Sequence, residues 1–143
     1  MNGFLLDTMA VSEGAKCPHN PGLARWLERI DESATYISVL TVGEIQKGIS
    51  RLDTEASRRA ELERWLTFDL IGRFGRRILD FDTSVARHWG TLVASALARR
   101  LHLSIVDSQI AATASLYGLS VVTRNVRHFV PTGVATLDPW SDV

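Results

Sequence analysis

The sequence predicts an α/β fold in which a central, mostly parallel sheet is flanked by helices. Short apolar runs, of the length of buried strands, alternate with longer segments whose apolar residues recur at helical spacing. Two of these runs, Gly3 to Leu6 and Leu119 to Thr123, are apolar on both faces, as are strands at the centre of a parallel sheet. Strands separated by helices of this length are joined by right-handed crossovers, which make neighbouring strands parallel.

The N-terminal half contains two predicted strands and four predicted helices. Residues Thr8 to Ala15 form the first helix, directly after the first strand. Asn20 has the side chain of a helix cap, and Pro21 suits the first position of the helix that follows. The remaining elements of this half are a strand over Ala34 to Ser38 and helices over Thr41 to Leu52 and Thr54 to Ile71.

The C-terminal half contains three predicted strands and two long helices. One helix starts at Asp82 or Thr83, and a glycine, Gly118, ends the other in the manner of a left-handed C-cap. The second of these helices spans Ile105 to Tyr117, and the strands span Arg77 to Phe81, Leu119 to Thr123 and, at an edge, Val134 to Leu137.

Length and composition are those of a single domain spanning residues 1–143. Apolar residues make up 45% of the chain, which excludes intrinsic disorder. The 16 basic residues balance the 16 acidic residues, so any basic surface is local and net charge does not identify nucleic acid as a partner.

Cysteine use and hydropathy favour a cytoplasmic protein that does not contact a membrane. Cys17 is the only cysteine, which excludes an internal disulfide and is typical of a reduced thiol. The N-terminus lacks the charged and apolar regions of a signal peptide. No apolar run approaches the ~20 residues that a bilayer-spanning helix requires.

Four polar side chains, Asp7, Glu44, Asp107 and Asn125, stand where a strand is predicted to give way to a helix. Open α/β sheets bind their ligands in a crevice beyond the carboxyl ends of the strands, so these side chains are expected to converge there. A pocket of oxygen ligands suits a hard cation such as Mg²⁺ or Mn²⁺. Such a cation would also neutralise carboxylates that otherwise raise each other's pKa.

Helix capping is the alternative explanation for each of these residues. Asp7 precedes a helix and so fits an N-cap. Thr41 and Glu44 have the spacing of a capping box, and Ser104 and Asp107 have nearly the same arrangement. A cap requires only its own helix, however, so capping does not predict that the residues converge on one crevice.

The same segments resemble the motifs of PIN-domain ribonucleases, in particular the toxins of bacterial VapBC and FitAB-type toxin–antitoxin pairs. The resemblance covers essentially the whole chain, in order and with ordinary spacing. The matching segments are Leu5-Leu6-Asp7-Thr8, Ser38-Val39-Leu40-Thr41-Val42-Gly43-Glu44-Ile45, Val106-Asp107-Ser108-Gln109-Ile110-Ala111-Ala112-Thr113-Ala114 and Val122-Thr123-Arg124-Asn125-Val126-Arg127-His128-Phe129.

This resemblance implies a PIN-like three-layer fold and a Mg²⁺- or Mn²⁺-dependent endoribonuclease. By position, Asp7, Glu44 and Asp107 would be catalytic acids and metal ligands, and Asn125 would take the fourth catalytic place. Thr123 would supply the hydroxyl that commonly accompanies them. The family also implies a homodimer and inhibition by a small cognate antitoxin.

The residues around the fourth motif are the candidate contacts to RNA. Arg124 and Arg127, together with Thr123, are predicted to bind substrate, although solvated charge explains the two arginines equally well. The chain departs from the family at Met9, where asparagine is common, and at His128, where many relatives carry aspartate. A site with fewer negative charges would bind its metal ion more weakly.

Two other classes of function compete with the nuclease. One is a catalytically weak PIN domain that holds RNA or protein without cutting it. The other is a phosphotransfer domain in which Asp7 is a covalent nucleophile. That class needs a lysine or hydroxyl reaching the phosphoryl group, and neither lysine, Lys16 nor Lys47, stands at a late strand end.

Overall fold

A five-stranded parallel sheet forms the centre of the protein, in the order β3-β2-β1-β4-β5. The computed structural model describes residues 3–16, 19–53 and 55–141 of the 143-residue chain. The strands are β1 (Gly3–Leu6), β2 (Thr35–Ser38), β3 (Ile78–Leu79), β4 (Leu119–Val122) and β5 (Thr136–Leu137). The predicted α/β class and the parallel arrangement of the strands are therefore confirmed.

Helices cover both faces of this sheet. They are α1 (Thr8–Glu13), α2 (Pro21–Arg29), α3 (Val39–Ser50), α4 (Ala56–Arg64), a π-helix (Trp65–Ile71), α5 (Gly72–Phe74), α6 (Thr83–Ala98), α7 (Ile105–Tyr117) and α8 (Val126–Phe129). Short 3₁₀ turns lie at Glu32–Ala34, Gly75–Arg77, Val130–Thr132 and Pro139–Ser141. Within the described residues, no helix combines the length and the apolar composition that crossing a membrane would need.

Two apolar clusters lie on opposite faces of the sheet, because successive side chains of a strand point in opposite directions. Leu6 and Val122 belong to the cluster under α1, α2, α3 and the π-helix. Their neighbours along the strands, Leu5 and Val121, belong to the cluster under α7 and α8. The result is the predicted three-layer arrangement, with β1 and β4 at its centre.

The pairing of β1 with β4 positions the functional edge of the sheet. Their register aligns Leu6 with Val122, so the next residues, Asp7 and Thr123, emerge side by side. The backbone N–H of Asp7 extends this pairing and donates to the carbonyl of Val122 at 3.0 Å. The predicted neighbourhood of the first and fourth strands is confirmed.

Helix α3 starts earlier than predicted, and this changes the interpretation of Glu44. The helix begins at Val39, and the Ser38 hydroxyl caps it by accepting from the N–H of Leu40 at 3.0 Å. Thr41 is completely buried in the first turn. The capping-box interpretation of Thr41 and Glu44 is therefore wrong.

Two other predicted elements, a strand and a helix, also differ from the structure. The predicted strand from Arg77 is only Ile78–Leu79, because Arg77 ends a 3₁₀ turn and its guanidinium binds the carbonyls of Glu32 and Thr35. The predicted helix up to Ile71 is interrupted by the π-helix Trp65–Ile71. The predicted start of that helix, Thr54, and the predicted loop cysteine, Cys17, lie outside the described residues.

Candidate metal and nuclease site

Asp7 is the buried centre of the candidate site. It follows β1, caps α1 and is only 5% exposed. Its Oδ1 accepts from the N–H of Ala10 at 2.9 Å, and the hydroxyl of Thr123 donates to the same carboxylate. Asp7 is thus both a helix cap and a buried carboxylate at the carboxyl end of the central strands, so the capping interpretation explains only part of its position.

The environment of Asp7 disfavours its charged form. Burial is the largest cause and raises the pKa of the Asp7 carboxyl above its ordinary value, and the charge of Asp107 raises it further. The hydrogen bonds from Thr123 and Ala10 lower the pKa but do not reverse the shift. None of the described groups that set this pKa is a cation. The site therefore holds negative charge that the protein itself compensates incompletely.

Asp107 lies near Asp7 in the first turn of α7. Its N–H donates to the hydroxyl of Ser104, the N-cap of that helix, at 3.3 Å. Its carboxylate is partly exposed, and Oδ2 lies 3.5 Å from Nδ1 of His128 on α8. The capping interpretation is confirmed for Ser104, but the carboxylate of Asp107 faces His128 and acts electrostatically on Asp7.

Thr123 supports Asp7 and has no surface for substrate. It is 0% exposed, and its hydroxyl donates to Asp7 while accepting from the N–H of Asn125 at 2.9 Å. The prediction that Thr123 contacts RNA therefore requires correction, because both hydrogen-bonding directions of this buried hydroxyl are used inside the protein. Its contribution is to hold the carboxylate of Asp7 in place.

Asn125 precedes α8 but makes no side-chain cap bond. Its amide instead lies 3.0 Å from the sulfur of Met9. This contact was not predicted. Its only sequence signal is that Met9 departs from the family pattern two residues after Asp7. This exposed contact places the amide of Asn125 beside the thioether of Met9 at the rim of the site.

Glu44 is on α3, next to the site but turned to a local partner. Its Oε2 lies 3.5 Å from Nζ of Lys47, one turn further along the helix. The hydroxyls of Thr8 and Thr41 are 3.4 Å apart and join α1 to α3 directly beside Asp7. Because Glu44 is three residues after Thr41, it lies on the same face of α3, one turn from this junction.

The donor set fits a hard divalent ion in part. The structure brings together Asp7 and Asp107, two carboxylates of the type that Mg²⁺ and Mn²⁺ prefer. In residues 3–16, 19–53 and 55–141, no group of three or more His, Cys, Asp or Glu side chains is arranged to hold a metal ion. Of the three predicted acids, Asp7 and Asp107 are therefore brought together, whereas the carboxylate of Glu44 forms an ion pair with Lys47.

Two exposed arginines flank this edge. Arg124 follows Thr123, and Arg127 is on α8 beside His128. Both are exposed to solvent, as phosphate-binding side chains must be.

A separate cavity of about 460 Å³ lies on the other side of α1. Its apolar wall includes Leu6, Leu27 and Trp65, and its polar rim includes Asp69 and Arg73. The π-helix supplies part of the wall, so the local widening of this helix shapes the cavity.

Comparison with known proteins assigns the chain to a family. The family model described as PIN domain matches residues 4–130. The chain belongs to the PIN-domain family. Among curated relatives, Toxin FitB of Neisseria gonorrhoeae is 31% identical over 139 residues, covering 97% of this chain and 99% of the relative. VapC ribonuclease Y4jK of Sinorhizobium fredii is 28% identical, with 96% and 97% covered.

Solved structures of toxin–antitoxin complexes share the fold of this PIN domain. FitAcB from Neisseria gonorrhoeae superposes with a TM-score of 0.90 at 30% identity, covering 96% of this chain and 99% of that one. DNA-bound VapBC from Salmonella typhimurium superposes with a TM-score of 0.74 at 26% identity, covering 97% and 99%. The predicted PIN-like fold is thus confirmed, and the resemblance to FitAB and VapBC toxins holds along the whole chain.

Proposed function

We propose that this PIN domain is the toxin of a toxin–antitoxin pair and hydrolyses RNA phosphodiester bonds with a divalent metal ion. The observation that carries the proposal is the pairing of Asp7 with Asp107 at the carboxyl edge of β1 and β4, where burial raises the pKa of Asp7. Buried like charges are costly unless a cation neutralises them. Relatives named as VapC ribonucleases support RNA as the substrate.

The metal ion, Mg²⁺ or Mn²⁺, would be held by Asp7 and Asp107, with Glu44 as the third ligand. Glu44 would first leave Lys47, which costs little because both side chains are partly exposed and surface ion pairs contribute about 0–1 kcal/mol. When bound, the ion would supply Lewis-acid stabilisation of the phosphate charge and activation of water.

The protein's own residues would hold the reacting groups in place. Thr123 and the N–H of Ala10 fix the carboxylate of Asp7, so it needs no reorganisation when substrate arrives. Arg124 and Arg127 would bind phosphates on either side of the cleaved bond. Asn125 would present its amide to the substrate from its position beside Met9.

RNA cleavage by partner-free protein tests this proposal. The purified chain is expected to cut RNA with Mg²⁺ or Mn²⁺, to stop with EDTA and to recover when the ion is restored. A preparation carrying Asp107→Asn controls for contaminating nucleases. Undiminished cleavage after rigorous removal of metal would contradict the proposal, and sequencing of RNA 5′ ends after brief induction would identify the target.

The cavity beside α1 is the surface we propose for the antitoxin. An apolar wall with charged groups at its rim suits a short amphipathic segment of a partner. The solved relatives named FitAcB and VapBC are toxin–antitoxin complexes, which supports a small protein partner for this chain. A pull-down from the native host should recover such a protein, and Leu27→Glu in the apolar wall should lose it while RNA cleavage is retained.

The proposal extends to the oligomeric state of the protein and to its location in the cell. We propose that residues 1–143 form one cytoplasmic domain that dimerises, with exposed apolar residues such as Leu97 and Ile105 available for subunit contact. Light scattering should give about twice the chain mass of 15.8 kDa. A monomer at micromolar concentration would contradict dimerisation.

A binding module without turnover is the second candidate. Lys47 lies 3.5 Å from Glu44 and His128 lies 3.5 Å from Asp107, so two of the three predicted acids already have side-chain partners within the protein. RNA binding that persists in EDTA, without cleavage at any concentration of Mg²⁺ or Mn²⁺, would favour this candidate over the nuclease.

A further inference from the structure

Trp89 reaches the helix that carries Asp107 through a part-buried hydrogen bond. Trp89 is on α6, and its indole Nε1 lies 2.9 Å from Oγ of Ser108 on α7. The same Oγ lies 2.7 Å from the carbonyl oxygen of Ile105. Ser108 is 1% exposed, so its hydroxyl is shielded from bulk water.

The direction of these two bonds follows from their chemistry. An indole N–H donates and cannot accept, so the Ser108 hydroxyl must accept from Trp89. The single hydroxyl proton of Ser108 is then available for the carbonyl of Ile105. Trp89, Ser108 and Ile105 therefore form a chain of two hydrogen bonds, which we call the relay. In it the Ser108 hydroxyl accepts from the indole of Trp89 and donates to the carbonyl of Ile105.

This relay encloses the first turn of α7. Asp107 lies between Ile105 and Ser108 in sequence, and its own N–H is held by the Ser104 cap. The N–H of Ser108 also donates to the carbonyl of Ser104 at 2.9 Å. The turn is thus tied at its start by the cap and along its buried side by the indole.

The indole itself is fixed from α6 and from the end of β3. Phe81 meets Trp89 edge to face, with ring centroids 6.4 Å apart and an interplanar angle of 72°. Such aromatic pairs have a preferred geometry that restricts rotation of both rings. The N–H of Trp89 is therefore aimed at Ser108 by packing that does not involve the acidic site.

We infer that Trp89 is a positioning residue for Asp107, acting through the hydroxyl of Ser108. It touches neither substrate nor metal, and it sets where the carboxylate of Asp107 stands relative to Asp7. The role of Asp107 as a metal ligand rests on the proposed function, whereas the relay between Trp89 and the first turn of α7 is independent of it.

Mn²⁺ affinity of the full chain, measured by titration calorimetry, tests this inference. Trp89→Phe keeps a ring but removes the donor, and Ser108→Ala removes the hydroxyl. Groups that orient metal ligands typically change affinity about 10–100-fold, and we expect about 10-fold weaker binding for each variant because the relay acts one bond further out. The double variant should lose little more than either single variant, because both break the same relay.

A matched control separates positioning from general loss of packing. Trp140→Phe makes the same change in a partly buried tryptophan that packs on the cluster under α1, α2, α3 and the π-helix, and it should leave Mn²⁺ affinity unchanged. Ser108→Thr, which restores a hydroxyl, should recover part of the affinity lost in Ser108→Ala. Parent-like Mn²⁺ affinity in both Trp89→Phe and Ser108→Ala, or an equal loss in Trp140→Phe, would overturn the inference.

Failure of the proposed function has a different signature. If the parent binds no Mn²⁺, the metal proposal fails, and the relay is then judged by amide hydrogen exchange and by the NMR shift of the Asp107 carboxyl carbon. Trp89→Phe should speed exchange in the first turn of α7 and move that carbon shift, with α3 unchanged. An unaltered first turn and an unaltered carboxyl signal would overturn the inference in this case also.

Discussion

Two carboxylates of this chain, Asp7 and Glu32, are in opposite electrostatic situations. Asp7 is buried beside another acid, and burial raises its pKa. Glu32 is exposed near the start of β2, where its hydrogen bond with Arg73 lowers its pKa, with the charge of Arg77 as a smaller contribution. The charge of Glu32 is thus paired with arginine. The charge of Asp7, at the sheet edge where ligands bind, is paired incompletely.

The difference indicates that the region around Glu32 stabilises the fold, whereas the region around Asp7 contains an interaction that is unfavourable for folding. At the Glu32 corner, the guanidinium of Arg77 binds the carbonyls of Glu32, Thr35 and Arg73 and lies over the ring of Phe74. At the Asp7 edge, hydrogen bonds from Thr123 and Ala10 hold a carboxylate in a position that its own burial disfavours. Functional sites commonly retain such unfavourable charge until a ligand binds.

Removing Asp107 should give the largest effect. Asp107→Asn removes a charge from the proposed metal site while keeping the shape of the side chain, so RNA cleavage should fall by at least ~100-fold. Asp80→Asn is the matched control, because Asp80 is an exposed acid that follows β3 at the same edge of the sheet. Equal RNA cleavage by Asp107→Asn and the parent would contradict the proposal that the acids at the Asp7 edge form a catalytic metal site.

Glu44→Gln should give the next largest loss of RNA cleavage. The helix start does not depend on Glu44, since Ser38 caps α3, so the melting temperature without metal should be nearly unchanged. An amide is a poorer ligand for a hard cation, and the loss of cleavage should be about 10–100-fold, as for other perturbed metal sites. Ser38→Ala should do the opposite, costing about 1 kcal/mol of folding free energy with activity per folded molecule retained.

If Glu44→Gln cleaves RNA as fast as the parent, Glu44 belongs with Lys47 and not with the acidic site. The metal ion would then rest on Asp7 and Asp107 alone, as the geometry of the described residues presents them.

Arg77→Ala should lower stability without a comparable change in activity. It removes several hydrogen bonds from a mostly buried guanidinium, and bonds to charged groups contribute about 1.5–3 kcal/mol, so a loss of about 2–3 kcal/mol is expected. Arg76→Ala, at an exposed neighbour, should stay within about 0.5 kcal/mol of the parent. Denaturant unfolding measures both, and a loss of cleavage per folded molecule in Arg77→Ala would contradict the division between the two regions.

Local sequence signals predicted much of this arrangement. Helix α7 has its predicted bounds because Ser104 caps it and Gly118 ends it in a left-handed conformation, with φ of 66°. The pairing of Asp7 with Thr123 also followed from the sequence, because both directly follow strands that are apolar on both faces. Signals of this kind lie within a few residues of the feature that they determine.

The parts that were not predicted depend on tertiary contacts. Ser38 and Thr41 are both good capping residues, and the choice of Ser38 is made by packing that buries Thr41 against Thr8. The contact of Asp107 with His128 joins two helices that are separated in sequence by β4. Under the proposed function Glu44 would exchange Lys47 for a metal ion, and the sequence around Glu44 carries no local signal of that exchange.

The smallest expected effect is the pH dependence of Asp7 in the metal-free protein. Because the folded pKa of Asp7 is raised, its favourable contribution is fully present below the unfolded pKa and is lost as pH rises through the folded pKa. Asp7→Asn cannot ionise, yet it keeps an oxygen that can accept from the N–H of Ala10. The variant should therefore melt like the parent in acid and slightly above it at neutral pH, while RNA cleavage is lost. The difference is small because the hydrogen bonds to Asp7 oppose the effect of burial.

Melting curves in EDTA from pH 3 to pH 7 measure this difference in melting temperature. Excess Mn²⁺ at pH 7 should raise the melting temperature of the parent only, since only the parent binds the ion well. A parent that melts above Asp7→Asn at neutral pH without metal would show that the charge of Asp7 stabilises the fold, as that of Glu32 does, and the contrast between the two carboxylates would disappear.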